Sequence, residues 1–179
     1  MPAVVLSYDR ANNTVEVQPA INTILTDGKE QARDVLRLPV HILGGNGIVI
    51  TAPLKKGDTG WIIAGDRDIS LFKQSLKVSN PNTYRTHKLG FGFFIPDKIK
   101  GVSVANEDEN ALTIQTLDGN TKISIQSGKV KIVSSDTIEA SCSDLTINGA
   151  SVSINGESTI TGNVLIDGNL TVTGTIIHG

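Results

Sequence analysis

Asn163-Val164-Leu165-Ile166-Asp167-Gly168-Asn169-Leu170-Thr171-Val172-Thr173-Gly174-Thr175-Ile176 decides how the C-terminal half of this chain folds. Val164 and Ile166, then Leu170 and Val172, are apolar pairs spaced two apart, the period of a strand that buries one face. Asp167-Gly168-Asn169 between them is a run of turn formers. New pairs start at Val164, Leu170 and Ile176, a six-residue step. Upstream the pattern continues as Leu112/Ile114, Ile123/Ile125, Val130/Ile132, Leu145/Ile147 and Val152/Ile154, with Ile138/Ala140 in the slot before Leu145. From Ile123 to Val152 the step is seven or eight residues, and turns such as Asp118-Gly119-Asn120, Gly128, Asn148-Gly149 and Asn155-Gly156 separate the units.

A unit with two inward side chains cannot bury enough surface alone, so the units must stack. A single chain coiled into a β-solenoid needs longer turns to make three sides. Six to eight residues per strand and turn suit a prism wound from three chains, in which each strand pairs with strands of other copies and no edge is left open. About nine layers at roughly 4.8 Å each make a prism on the order of 45 Å long. The expected fold is therefore all-β, with an intertwined triple-stranded β-helix over residues 110–179 as a homotrimeric prism.

The rest of the chain has different physics. All seven aromatics (Tyr8, Trp61, Phe72, Tyr84, Phe91, Phe93, Phe94) and all six prolines lie before residue 97. Large side chains fill a globular core, so the core domain is expected over residues 1–97. Val4 to Tyr8, Thr14 to Pro19, a longer run from Arg33 to Leu43, Ile48 to Ala52 and Thr59 to Gly65 read as strands, with Gly44-Gly45-Asn46-Gly47 and Gly57-Asp58 as turns. Pro39 places its strand at an edge or a bulge. Ser70 to Ser75 reads as a helical turn, and Phe91 to Ile95 closes the domain. This strand count and length suit a small barrel of the OB type. Residues 98–109 read as a linker with one strand, ending in Glu107-Asp108-Glu109.

Composition narrows the chemistry. The 179 residues carry a net charge of −2, which argues against nucleic-acid binding across the whole surface. No apolar run is long enough for a transmembrane helix, and the N-terminus lacks the pattern of a secretory signal. Cys142 is the single cysteine, so no intrachain disulfide or cysteine zinc cluster forms, and it reads as a packing residue. His41 lies on a strand face and His87 is far from it in sequence; neither sits beside a nucleophile. Asp66-Arg67-Asp68 reads as a loop ion pair rather than a catalytic carboxylate pair, which requires a sugar-sized gap between the acids. Gly44-Gly45-Asn46-Gly47 lacks the spacing of a phosphate-binding loop. No catalytic residue is assigned and no cofactor is expected.

Two stretches carry a resemblance. Ala52 to Ile69 (APLKKGDTGWIIAGDRDI) and His87 to Asp97 (HKLGFGFFIPD) resemble the OB-fold domain of the central spike proteins of contractile-tail phages. That family repeats a Gly-Asp-Gly-apolar strand, an acidic-Arg-acidic loop and a His…Phe-Ile-Pro ending. The closing repeats, TGNVLIDGNLTVTGTIIHG (Thr161 to Gly179), are similar to its triple-stranded β-helix shaft. The resemblance implies a homotrimer in the virion, at the centre of the tail baseplate. Its OB end docks on the tail-tube hub protein, and its shaft pierces the host outer membrane when the sheath contracts.

Two departures stand out. Members of that family carry a His-x-His pair at the tip, where three chains hold an iron ion. Here His178 stands alone, a weak axial metal candidate with three ligands at a chain end. The apex is then completed by a separate tip-capping protein or by further residues. Relatives also carry a helix before the first strand, which leaves room for a preceding segment.

The rivals are a polysaccharide-degrading, tailspike-like enzyme and an OB-type module binding sugars or single strands. The first needs stacking aromatics and paired carboxylates, and residues 97–179 contain no aromatic. The second needs aromatics and basic residues on the second and third barrel strands, whereas the aromatics here cluster late.

Overall fold

The computed structural model describes residues 1–98 and 100–176. They form two compact units, Met1–Thr137 and Ile138–Gly179. In the first, strands β1 (Pro2–Asp9), β2 (Thr14–Pro19), β3 (Thr23–Ile24), β4 (Glu30–Gln31), β5 (Leu36–Pro39), β6 (Leu43–Gly45), β7 (Ile48–Ile50), β8 (Thr59–Ile63) and β9 (Phe93–Pro96) precede a second sheet of β10 (Leu112–Gln115), β11 (Lys122–Gln126) and β12 (Lys129–Val133). A short helix, α1 (Ser70–Ser75), follows β8, where the sequence places a helical turn.

Five strands form one antiparallel sheet in the order β5-β2-β1-β8-β9. Its two edges meet: Val40, just past β5, bridges Phe94 of β9 in parallel, and the His41 N–H donates to the Phe94 carbonyl at 2.8 Å. The closed sheet follows from alternation. Ala3 and Val5 of β1, Val15 and Val17 of β2, Leu38, Val40, Ile62 and Phe94 point inward and form one core. Gly60 makes room for the Phe94 ring, because a Cβ there would lie 2.4 Å from the ring's Cζ and 2.3 Å from the Ile95 carbonyl oxygen. The aromatic that fills the centre thus depends on a strand position without a side chain.

The long strand expected from Arg33 to Leu43 is four residues long, Leu36–Pro39. Pro39 has no N–H to offer a ladder, and it ends the strand. Gly44-Gly45-Asn46-Gly47, expected as one turn, splits: Gly44 and Gly45 pair with Val49 and Ile48, and only Asn46 (φ 49°) and Gly47 (φ 81°) turn. Two successive positive φ values make a tight hairpin, which Asn-Gly favours. A second small hairpin, β3–β4, surrounds Asp27-Gly28, where only a turn is expected from sequence.

One expectation is corrected in the region after the barrel. No strand lies among the described residues of 98–109; Asn106–Asp108 is a 3₁₀ turn instead. The first three strands of the stretch expected as a shaft pair with one another, in the order β10-β11-β12. The turn chemistry explains this. Gln126 pairs with Lys129 across Ser127-Gly128, with Gly128 at φ 76°, and a two-residue turn brings the next strand back antiparallel beside its neighbour.

Among its described residues, the unit Ile138–Gly179 contains no strand or helix, and every side chain from Ile138 to Ile176 is exposed. Gly156, Gly162 and Gly168 have φ values of 127°, 131° and 145°, a six-residue recurrence of backbone that only glycine adopts easily.

Candidate functional site

The β10–β12 sheet buries the centre of its polar face and exposes its apolar one. Strand alternation puts Leu112, Ile114, Ile123, Ile125, Val130 and Ile132 on one side, and the register aligns them in two rows, Leu112–Ile125–Val130 and Ile114–Ile123–Ile132. These six are 40 to 68% exposed, whereas the inward residues of the barrel are 0 to 8% exposed. Thr113, Gln115, Lys122, Ser124, Gln126, Lys129 and Lys131 occupy the other side. There Lys122 (6%) and Ser124 (1%) are buried.

What buries them is the acidic 3₁₀ turn of the chain itself. Lys122 Nζ donates to Asp108 Oδ2 and, at 2.9 Å, to Glu107 Oε1. Ser124 Oγ donates to Asp108 Oδ1 at 2.7 Å, and Lys131 Nζ to Glu107 Oε1 at 2.6 Å. Gln126 Nε2 reaches the Glu107 carbonyl at 3.1 Å, and Gln115 Nε2 donates to the Ser103 carbonyl. Hydrogen bonds from Lys122 and Ser124 hold the Asp108 carboxyl below its ordinary value of 3.8, against burial. The bond to Asp108, then that to Glu107, raises the Lys122 ammonium above 10.5. A buried charge persists only when paired and hydrogen-bonded, as here. This clamp is absent from the sequence reading. The signal for it was the alternation of Lys122, Ser124 and Gln126 with Ile123 and Ile125, opposite an acidic Glu107-Asp108-Glu109.

In the Ile138–Gly179 unit the apolar pairs are equally uncovered: Leu145 and Ile147 are 70 and 64% exposed, Val152 and Ile154 59 and 72%, Leu170 and Val172 66 and 46%. Cys142, read from sequence as a packing residue, is exposed in the single chain.

The other residues singled out in the sequence separate. Asp66 is exposed and pairs with Arg67 Nε at 3.6 Å and His87 Nε2 at 3.4 Å. Asp68 is buried and accepts from the Ser70 N–H at 3.0 Å and the Thr83 hydroxyl at 2.9 Å, tying the chain just before α1 to Thr83. The acidic-Arg-acidic run is therefore one surface ion pair and one internal brace. His41 lies against Phe93, ring centroids 5.6 Å apart, and His87 belongs to the Asp66 loop; the two do not meet. Asp58 and Asp97 line a groove of about 770 Å³ with Leu54, Pro96 and Leu117. Each is engaged: Asp58 accepts the Lys55 N–H at 2.9 Å, and Asp97 accepts the Trp61 indole N–H at 2.7 Å. Among the described residues no cluster of three His, Cys, Asp or Glu is placed to hold a metal ion. His178, the axial candidate, lies outside the described residues. Among the described residues no helix is long and apolar enough to cross a membrane.

A family described as "Phage protein Gp138 N-terminal domain" matches residues 1–97, the segment that holds the closed five-stranded sheet. No curated protein matches the chain. Because that match spans more than half of the 179 residues, the chain belongs to the Gp138 N-terminal domain family and is a phage structural protein.

Proposed function

We propose that the protein is the central spike of a contractile-tail baseplate, a homotrimer in the virion. Its barrel docks on the tube hub and its repeat region forms the shaft driven through the host outer membrane. The observation that carries this reading is the Ile138–Ile176 stretch. It has apolar pairs at a six-to-eight-residue step, recurrent glycine turns, and no cover for any of those pairs within one chain. Apolar side chains in regular rows, left in water, call for burial by further copies. A chain that pairs with other copies at every layer has no strands to show by itself.

The barrel reading is supported by strand order. A five-stranded sheet in the order β5-β2-β1-β8-β9, closed by a parallel bridge between Val40, just past β5, and Phe94 of β9, is the pairing scheme expected of an OB barrel. In this role the barrel supplies a docking body and the shaft supplies stiffness. We read the function as mechanical, without catalysis, bound nucleic acid or cofactor, and any capping protein at the tip as a separate chain. Light scattering on the purified chain tests the reading. A mass of three times 18.9 kDa is expected, and a monomer at micromolar concentration would overturn it.

A further inference from the structure

We propose that the long loop between β8 and β9 holds a binding site for an acidic sugar, a uronate or sialate unit of a polysaccharide. The site is the groove lined by Arg67, Asn80, Pro81, Asn82, Thr83 and Tyr84, with a volume of about 440 Å³, a size usual for small-ligand sites. The inference does not depend on the oligomeric state of the chain, and it adds recognition to a protein read so far as mechanical.

Tyr84 supplies the platform. Of the seven aromatics it alone is wholly exposed, and among the described residues its hydroxyl has no hydrogen-bond partner. Trp61 is tied to Asp97, Tyr8 to Asn13, and Phe94 fills the core. A bare ring face is flat and apolar, and the C–H face of a sugar ring stacks on such a surface while its hydroxyls stay at the rim. Asn80 and Asn82 are exposed on the same groove, and among the described residues neither makes a side-chain hydrogen bond. Each amide offers two donors and an acceptor, which suits the vicinal hydroxyls of a sugar.

Charge selects the acid. Arg67 approaches Asp66 through Nε at 3.6 Å, which leaves the terminal N–H groups of its guanidinium for a carboxylate in fork geometry. Residues 69–88 carry Lys73, Lys77, Arg85 and Lys88 and no Asp or Glu, in a chain whose net charge is −2. Asp68, next to Arg67, is buried and engaged by Ser70 and Thr83, so its carboxylate does not oppose an anion in the groove.

The loop is also held in place. Thr83 Oγ donates to Asp68 and accepts the Arg85 N–H at 3.4 Å, Arg67 and Thr86 form an antiparallel bridge, and the His87 N–H donates to the Asp66 carbonyl at 3.4 Å. Pro81 fixes its own φ within the stretch. A site whose backbone is already ordered loses less entropy when a ligand arrives.

Saturation-transfer NMR on the full chain tests this, with tetramers of galacturonic acid and of sialic acid as probes and maltotetraose as the neutral control. Saturation is expected to reach the ring C–H protons of at least one acidic tetramer, bound about tenfold more tightly than maltotetraose. Tyr84→Ala should abolish the transfer. Arg67→Gln should weaken the acidic tetramer about tenfold and leave maltotetraose unchanged. Both side chains are exposed, so the melting temperature should not move. Lys29→Gln removes an exposed cation outside the groove and should leave binding intact. Transfer to neither acidic tetramer, binding retained by Tyr84→Ala, equal weakening by Lys29→Gln and Arg67→Gln, or maltotetraose bound as tightly as the acids would each overturn the proposal.

Discussion

Replacing Ile154 by Asp tests the proposed axis of the shaft, because the change has opposite consequences with and without partner copies. In the single chain Ile154 is 72% exposed, so a carboxylate there meets water and alters little. In an intertwined trimer the same position faces inward. Full burial of an isoleucine contributes about 1.5–3 kcal/mol, so covering the exposed 72% contributes about 1–2 kcal/mol per chain, or about 3–6 kcal/mol for three. Aspartate forfeits that gain. It also brings three like charges out of water near one axis, at several kcal/mol each before relaxation or protonation. The total loss is on the order of 10 kcal/mol, enough to abolish a trimer whose subunits otherwise hold together. The assay is a gel run in SDS without boiling, paired with thermal melting followed by circular dichroism. The parent chain should migrate as a trimer and Ile154→Asp as a monomer, with partial recovery in acid, where the carboxylates are neutral. If Ile154→Asp remains an SDS-resistant trimer with an unchanged melting temperature at neutral pH, Ile154 does not face an axis and the assignment of inward residues is wrong.

Three further outcomes follow from the Met1–Thr137 unit. Leu38→Ala removes a fully buried side chain at the centre of the barrel and should destabilise it by about 2–5 kcal/mol, read from the shift in its urea midpoint. Gly60→Ala would put a Cβ 2.3 Å from the Ile95 carbonyl, so β8 and β9 must move apart. A loss of about 1–3 kcal/mol is expected, together with a change in the fluorescence of the adjacent Trp61. The clamp should fail in acid: Asp108 and Glu107 are held below their ordinary values of 3.8 and 4.5, so their contribution is full above those values and is lost as pH falls through the lower folded values. Lys122, raised above 10.5, contributes below that value and is lost only as pH rises beyond it. Asp108→Asn should therefore flatten the acid limb of the melting profile from pH 6 to 2, and an unchanged limb would remove Asp108 as its cause.

Much of the barrel was legible because its signals are local. Val15 and Val17 alternate with Glu16, Thr59 to Ile63 is apolar and flanked by glycine, and Ser70 to Ser75 has no strand pattern; each became the element expected. The restriction of aromatics and prolines to residues before 97 separated a packed domain from a repeat. The β3–β4 and β6–β7 hairpins were less legible, since a hairpin is a statement about which residues pair, and Gly44-Gly45 reads equally well as turn or strand. The roles of Asp66 and Asp68 were not separable in sequence either: two residues apart, they differ only in what the fold brings to them, His87 and Arg67 for one, Thr83 and the α1 backbone for the other.

The sequence by itself determined the period. Apolar pairs two apart, at steps of six to eight residues with glycine between, carry the spacing of strands that bury one face, because side-chain alternation is a property of each strand's own backbone. Only the tertiary structure decided which of those strands pair within the chain. Leu112 to Val133 carries the same repeat as Val164 to Val172, yet it folds into its own sheet. Ser127-Gly128 turns it back on itself, and Glu107 and Asp108 reach Lys122, Ser124 and Lys131 across 14 to 24 residues of sequence. Pairing and charge complementarity act at that range, where no local pattern records them.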